Sequence, residues 1–113
     1  MGKAKPVRLP NGRFWAKKGD AHQHFKDMLA RYPVGERIMD KQDESDLTAL
    51  LQVYDSTVLS GAPTKCGTGI AFFSKQTNRG EGYSTDGFHV HRKDGTQIDF
   101  SYPDALTVAA NLP

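Results

Sequence analysis

Residues Gly87 to Tyr102 read GFHVHRKDGTQIDFSY, two runs of alternating apolar and polar side chains separated by Lys93-Asp94-Gly95. This is the pattern of a β-hairpin. Loop length decides which residues share a face, because a one-residue slip in register turns every side chain over. A two-residue turn at Asp94-Gly95 sets Val90 opposite Asp99 and Phe88 opposite Ser101, which places an acid among core residues. A three-residue loop, with Gly95 left-handed, instead pairs Arg92 with Thr96, Val90 with Ile98 and Phe88 with Phe100. The apolar pairs then coincide, so the sequence predicts this register. On the polar face His91 lies across from Gln97 and His89 across from Asp99, each pair close enough to interact.

That polar face raises two chemical readings. His89 and His91 project the same way and Asp99 lies opposite, a donor set that suits zinc or iron but lacks a third protein ligand from elsewhere. A histidine beside a carboxylate also suits acid-base work, yet no nucleophile or oxyanion donor is identifiable beside it. The plainer reading is preferred: solvated strand histidines, with Asp99 in a structural hydrogen bond. No metal, cofactor or catalytic residue is therefore assigned.

Outward from the hairpin, Ser101 is placed to cap a short C-terminal helix with Pro103 in its first turn, and Leu106, Val108 and Ala109 to dock on the core. Upstream, Gly69 to Ser74 reads as a strand and Asn78 to Asp86 as a polar, glycine-rich loop. Gly67-Thr68-Gly69 lacks the lysine and following helix of a phosphate cradle. Phe25, Met28, Leu29 and Tyr32 form one stripe of a helix over 20–32 capped by Asp20, with Pro33 and Gly35 stopping it. A second helix, 46–54, carries Leu47, Leu50, Leu51 and Tyr54, with Asp43 or Ser45 as cap. The acids from Asp40 to Asp46 suit the positive end of its dipole and lack the spacing of a calcium loop. The expected architecture is α+β: a small antiparallel sheet with a C-terminal β-hairpin, covered on one face by two helices, and a short C-terminal helix.

Length and composition agree with one domain, since 113 residues with 37% hydrophobic content support a single modest core. Cys66 is the single cysteine, which excludes an internal disulfide and paired CxxC zinc sites and points to a reducing, cytoplasmic setting. No apolar run is long enough to span a membrane, and no apolar segment follows the basic N-terminus as in a signal peptide. Net charge is only +2, but Lys3, Lys5, Arg8, Arg13, Lys17 and Lys18 all precede the first acid, Asp20. The remaining chain carries nine basic against thirteen acidic residues. Residues 1–12, with Pro6, Pro10, Gly2 and Gly12, read as a flexible basic arm, and residues 13–113 as the folded domain.

Lys65-Cys66-Gly67-Thr68-Gly69-Ile70, then Phe88, Arg92, Asp94-Gly95-Thr96 and Asp99-Phe100-Ser101-Tyr102 resemble the signature of the DCL (defective chloroplasts and leaves) family, and the resemblance runs from about Phe14 through Leu106. It implies nucleic-acid metabolism, since plant members are linked to plastid ribosomal RNA processing and related domains accompany a polymerase subunit or nucleases. It implies no catalytic residues. Without a transit peptide, a bacterial or phage setting is expected. The function expected is a non-catalytic accessory protein binding RNA or DNA, RNA foremost. Lys3, Lys5, Arg8, Arg13, Lys17, Lys18 and Arg92 would contact phosphates, and Phe14 or Trp15 is available to stack on a base. The alternative is a protein-binding adaptor or inhibitor acting on a polymerase, nuclease or ribonucleoprotein. A metal-dependent hydrolase built on His89, His91 and Asp99 is the third reading.

Overall fold

The hairpin takes the three-residue loop. In the computed structural model, which describes residues 5–58, 63–80 and 82–111, Phe88 pairs with Phe100, His89 with Asp99, Val90 with Ile98 and His91 with Gln97. Arg92 N–H donates to the Thr96 carbonyl at 2.8 Å and Gly95 N–H to the Arg92 carbonyl at 3.1 Å. Gly95 has φ +90°, where a side chain would be strained. The Asp94 carboxylate accepts the Thr96 hydroxyl at 2.6 Å and the Thr96 N–H at 2.9 Å. These bonds hold its carboxyl below the ordinary carboxylate range.

The chain order is β1 (Val7–Arg8), β2 (Phe14–Trp15), α1 (Lys18–Ala30), α2 (Lys41–Asp55), β3 (Ile70–Gly80), β4 (Tyr83–Arg92), β5 (Gln97–Phe100) and α3 (Tyr102–Asn111). Strands β3, β4 and β5 form one antiparallel sheet in that order, and β1 and β2 form a separate two-stranded ribbon. The fold is thus α+β, with three helices and two small antiparallel sheets among the described residues. Strand β3 is longer than the predicted 69–74, and the segment 78–86 expected as a loop is the far end of the β3–β4 hairpin, with Asn78 opposite Thr85 and Thr77 opposite Asp86. The Thr77 hydroxyl donates to the Asp86 carboxylate at 2.8 Å across this pair. Polar cross-strand bonds, which leave no hydrophobic signature, take the place of a buried face there.

Residues 35–38 run along the outer edge of β3. Gly35 N–H meets the Lys75 carbonyl at 2.6 Å, Lys75 N–H the Glu36 carbonyl at 3.0 Å and Ile38 N–H the Phe73 carbonyl at 2.8 Å. Arg37 pairs with Ser74, so its side chain falls on the polar face of the sheet.

Both N-terminal helices begin earlier than predicted. Helix α1 starts after Lys17, which makes no side-chain cap, and Asp20 lies in the first turn, where its charge favours the dipole. In α2 the cap is Asp40, whose carboxylate accepts Asp43 N–H at 2.9 Å. Asp43, expected as a possible cap, and Asp46, expected to favour the dipole, are buried. Helix α3 starts as predicted, with Ser101 Oγ accepting Asp104 N–H at 3.4 Å. Phe25 and Met28 of α1, Leu47, Leu50 and Leu51 of α2 and Leu106 of α3 pack with Phe73, Phe88, Val90 and Phe100 of the sheet. Burying each such side chain contributes about 1.5–3 kcal/mol.

The N-terminal segment differs from a flexible arm as far as it is described. Val7 and Leu9 are buried in the core, and Gly12 turns the chain at φ +93° into β2. Two apolar residues flanking one arginine are too few to show a period, and only tertiary packing reveals their role. Lys3 lies outside the described residues.

Candidate nucleic-acid interface

Alternation along the strands separates two faces. Phe73, Val90, Phe88 and Phe100 face the helices, while Phe72, Ser74, Gln76, Asn78, His89, His91, Gln97 and Asp99 share the outer face with Arg37. A register shift between Ile70 and Phe72 sets Phe72 opposite His91. Their rings stack with centroids 4.1 Å apart and planes within 14°. The Arg37 guanidinium lies 4.5 Å from the Phe72 ring centroid. Three planar groups from adjacent strands thus form one pile.

Hydrogen bonds fix the pile from the side. His91 Nε2 meets Ser74 Oγ at 2.7 Å, and Gln76 Nε2 donates to the same oxygen at 2.9 Å. Burial, then the neighbouring His89 and Arg37, push the His91 pKa below its ordinary 6.5. The ring is therefore held neutral near pH 7. Beside it, His89 Nε2 meets Asn78 Oδ1 at 2.7 Å, which assigns the proton to Nε2. Its Nδ1, an acceptor in this tautomer, is buried and has no partner among the described residues.

His89, His91 and Asp99, the donor set considered for a metal, share the outer face of the sheet. His89 and Asp99 do lie opposite each other, but the Nε2 atoms of both histidines are engaged by Asn78 and Ser74. Among the described residues no group of three or more His, Cys, Asp or Glu side chains is placed to hold a metal ion.

The cations singled out in the sequence are dispersed. Arg13 Nε donates to Asp46 at 3.0 Å. Lys5 Nζ donates to Asn111 Oδ1 at 2.7 Å and Lys18 Nζ to Thr107 Oγ1 at 2.8 Å, both on α3. Arg8 lies 5.0 Å from the centroid of the exposed Phe14 ring. Trp15 packs its ring on His24 and Phe25, and Lys17 is exposed. Arg92 is turned inward: Nε donates to the Lys65 carbonyl at 2.9 Å and the terminal nitrogens reach Thr96 Oγ1 at 3.3 Å and the Thr64 carbonyl at 3.4 Å. These bonds tie loop 64–67 to the hairpin.

Arg37 and Phe72 went unnoticed in the sequence. The available signal was the short extended stretch Glu36-Arg37-Ile38 with its buried third residue, and the adjacent phenylalanines, which must point to opposite faces. Arg37 also lines, with Lys41 and Met39, a groove of about 650 Å³ along α2.

The buried acids are structural centres. Asp46 accepts from Asn11 at 2.9 Å, Arg13 at 3.0 Å, His24 at 2.9 Å and Gln42 at 3.0 Å. Burial works against its charge, but these donors outweigh burial and hold the carboxyl below the ordinary range. Asp43 takes Arg31 through two 3.0 Å bonds and the Tyr32 hydroxyl at 2.7 Å. Burial first, then Asp43, push the Tyr32 hydroxyl up to about 12.

No helix among the described residues is long and apolar enough to cross a membrane. No curated protein matches the chain. The solution NMR structure of an uncharacterized protein from Rhodospirillum rubrum is similar, at 30% identity and a TM-score of 0.72 over 93% of this chain and 91% of that one. The DCL resemblance is overturned by the family comparison, whose match over residues 26–106 is to the family described as protein of unknown function (DUF3223). The residues that carried it have structural duties here: Asp94-Gly95 makes a turn, Arg92 ties a loop and Ser101 caps a helix. With a match that spans most of its length, this chain belongs to the DUF3223 family.

Proposed function

We propose that the protein binds single-stranded nucleic acid, RNA foremost, on the outer face of the β3–β4–β5 sheet, as a non-catalytic accessory protein. The observation that carries this reading is the pile of Arg37, Phe72 and His91 on an otherwise polar sheet face. Flat aromatic groups on a sheet hold unstacked bases in several single-strand-binding modules, and each stacked base is worth about 1–3 kcal/mol. Gln76, Asn78 and Gln97 surround the pile with neutral donors and acceptors suited to base edges. Arg37 and Lys41, in the adjoining groove, supply phosphate contacts. The N-terminal cations play a secondary part, because Lys5, Arg13 and Lys18 are bonded within the fold, as is Arg92 of the hairpin. A cytoplasmic setting accompanies this reading.

The test is fluorescence anisotropy with labelled single-stranded RNA, single-stranded DNA and duplex at low and moderate salt. The expected result is binding to single strands in preference to duplex, weakened at least tenfold by Phe72→Ala with Arg37→Ala. Substituting Lys5, Arg8 and Lys17 by Gln should change affinity much less. Equal binding by the wild type and the double variant refutes the site. Absence of binding to any strand refutes the function and leaves the protein-adaptor reading.

A further inference from the structure

Strand β5 ends its pairing at Phe100, and the chain turns at Ser101 into α3, whereas β4 continues beyond Phe88 to Tyr83. A hollow of about 520 Å³ opens in the notch, lined by Asn78, Asp86, Gly87, Asp99, Ser101 and Tyr102 among others. It borders the outer face four residues along β4 from His91, about 13 Å away at strand rise. Its size falls in the range of small-ligand sites. No cation lines it and two carboxylates do, so a phosphate is disfavoured there.

The polar groups form a pattern. Asn78 Oδ1 is held by His89, which turns the amide nitrogen the other way. A Cβ on Gly87 would lie 3.2 Å from that Nδ2, so the amide donor hangs over the space the glycine leaves. Asp99 is exposed, and only its backbone carbonyl has a partner among the described residues, Lys65 Nζ at 2.8 Å. Alternation adds a second donor and acceptor. Arg92 N–H bonds to Thr96, so residues 92, 90 and 88 turn their backbone groups toward β5, and Asp86 turns its own into the notch, where β5 no longer runs.

We propose that this hollow is a base-selective pocket for guanine in a bound single strand, an inference that rests on the nucleic-acid reading above. Asn78 Nδ2 donates to O6, and the Asp99 carboxylate accepts from N1–H and the 2-amino group, with Tyr102 offering an aromatic wall. Adenine and cytosine present a bare ring nitrogen to the carboxylate, and uracil offers one donor beside a carbonyl, so each leaves a repulsive contact where guanine forms a bond. His89 acts as a positioning residue by fixing the amide orientation.

The probes are fluorescein-labelled short uridine strands carrying one central guanosine, adenosine or inosine, titrated with the full chain. Guanosine is expected to bind about tenfold more tightly than adenosine, with inosine, which lacks the 2-amino group, between them. Asp99→Asn should remove the preference while keeping affinity for plain uridine strands, and Gly87→Ala should bring all strands to the plain-uridine level. Thermal melting of both variants controls for folding. A preference that is missing, or that survives both substitutions, overturns the pocket while leaving Phe72-dependent strand binding intact. If no strand binds at all, the nucleic-acid reading fails and the pocket with it.

Discussion

The imidazole of His91 lies flat against the ring of Phe72, at a centroid separation of 4.1 Å, while its Nε2 is held by Ser74 Oγ. The contact joins neighbouring strands on the outer face, so it can be altered with little disturbance of the core beneath. Phe72→Ala is expected to weaken single-strand binding by about 1–3 kcal/mol, roughly fivefold to 150-fold, with a much smaller effect on stability. Anisotropy titration alongside urea unfolding separates the two. A variant that unfolds readily but binds normally when folded would contradict the assignment.

His91 also sets a pH window. Its pKa in the folded chain is below the ordinary 6.5, because burial, His89 and Arg37 disfavour the imidazolium. The unfolded chain therefore takes up this proton first as pH falls. The contribution is fully present above about pH 6.5 and is lost as pH falls through the folded pKa. Urea midpoints measured from pH 7.5 down to 5 should decline, and His91→Gln should flatten that decline.

Asp46 has a stronger claim on folding than any cation near it on binding. Asp46→Asn leaves Arg13, His24, Asn11 and Gln42 contending for a neutral amide, at an expected cost of about 3 kcal/mol in unfolding free energy. Because its folded pKa is depressed, the carboxylate's contribution is present above about pH 4 and fades as pH falls further. Acid unfolding of the wild type should therefore be steeper than that of the variant. Arg13→Ala should lower the melting temperature and leave oligonucleotide affinity nearly unchanged.

Gly67 is a further position where the backbone demands glycine. Its φ is +50°, and a Cβ there would lie 2.9 Å from Cδ and Nε of Arg92. Gly67→Ala is expected to cost about 1–3 kcal/mol by displacing Arg92 from the Lys65 carbonyl. Arg92→Gln should destabilise in the same direction, and the double variant should show less than the sum of the two effects. Denaturant unfolding of all three measures this.

A short truncation distinguishes an anchored N-terminus from a loose one. Removing residues 1–9 takes away buried Val7 and Leu9 and should lower stability by several kcal/mol, whereas removing a loose tail would change it little. Thermal melting of the truncated chain is the measurement.

The hairpin register was legible because the choice was binary: either Val90 met Asp99 or it met Ile98, and one option buried an acid. The Ser101 cap was readable for a similar reason, being a local bond between near neighbours. Strand β1 was not legible, since Val7 and Leu9 are defined as core by helices far along the chain. Asp43 was read as a cap and Asp46 as one of the acids favouring the helix dipole, because their partners Arg31, His24 and Arg13 come from other segments. The pile likewise depends on a bridge from Arg37 to Ser74 and on a register shift near Ala71, neither of which leaves a periodic trace.

The uneven cover of the sheet divides it in time as well as in space. Lys75 is bonded along its outer edge by Gly35 and Glu36, and Phe88 and Val90 are paired on both sides, but Thr77 and Asp86 lie beyond the reach of 35–38 and of β5. Half the amides of that outer ribbon therefore face water directly, and they should exchange their hydrogens for deuterium long before those at 75, 88 and 90 do. The rim of the guanine hollow would thus sit at the boundary between a slow-opening core and a fast-opening tip, so a captured base would register first as slowed exchange at Asp86.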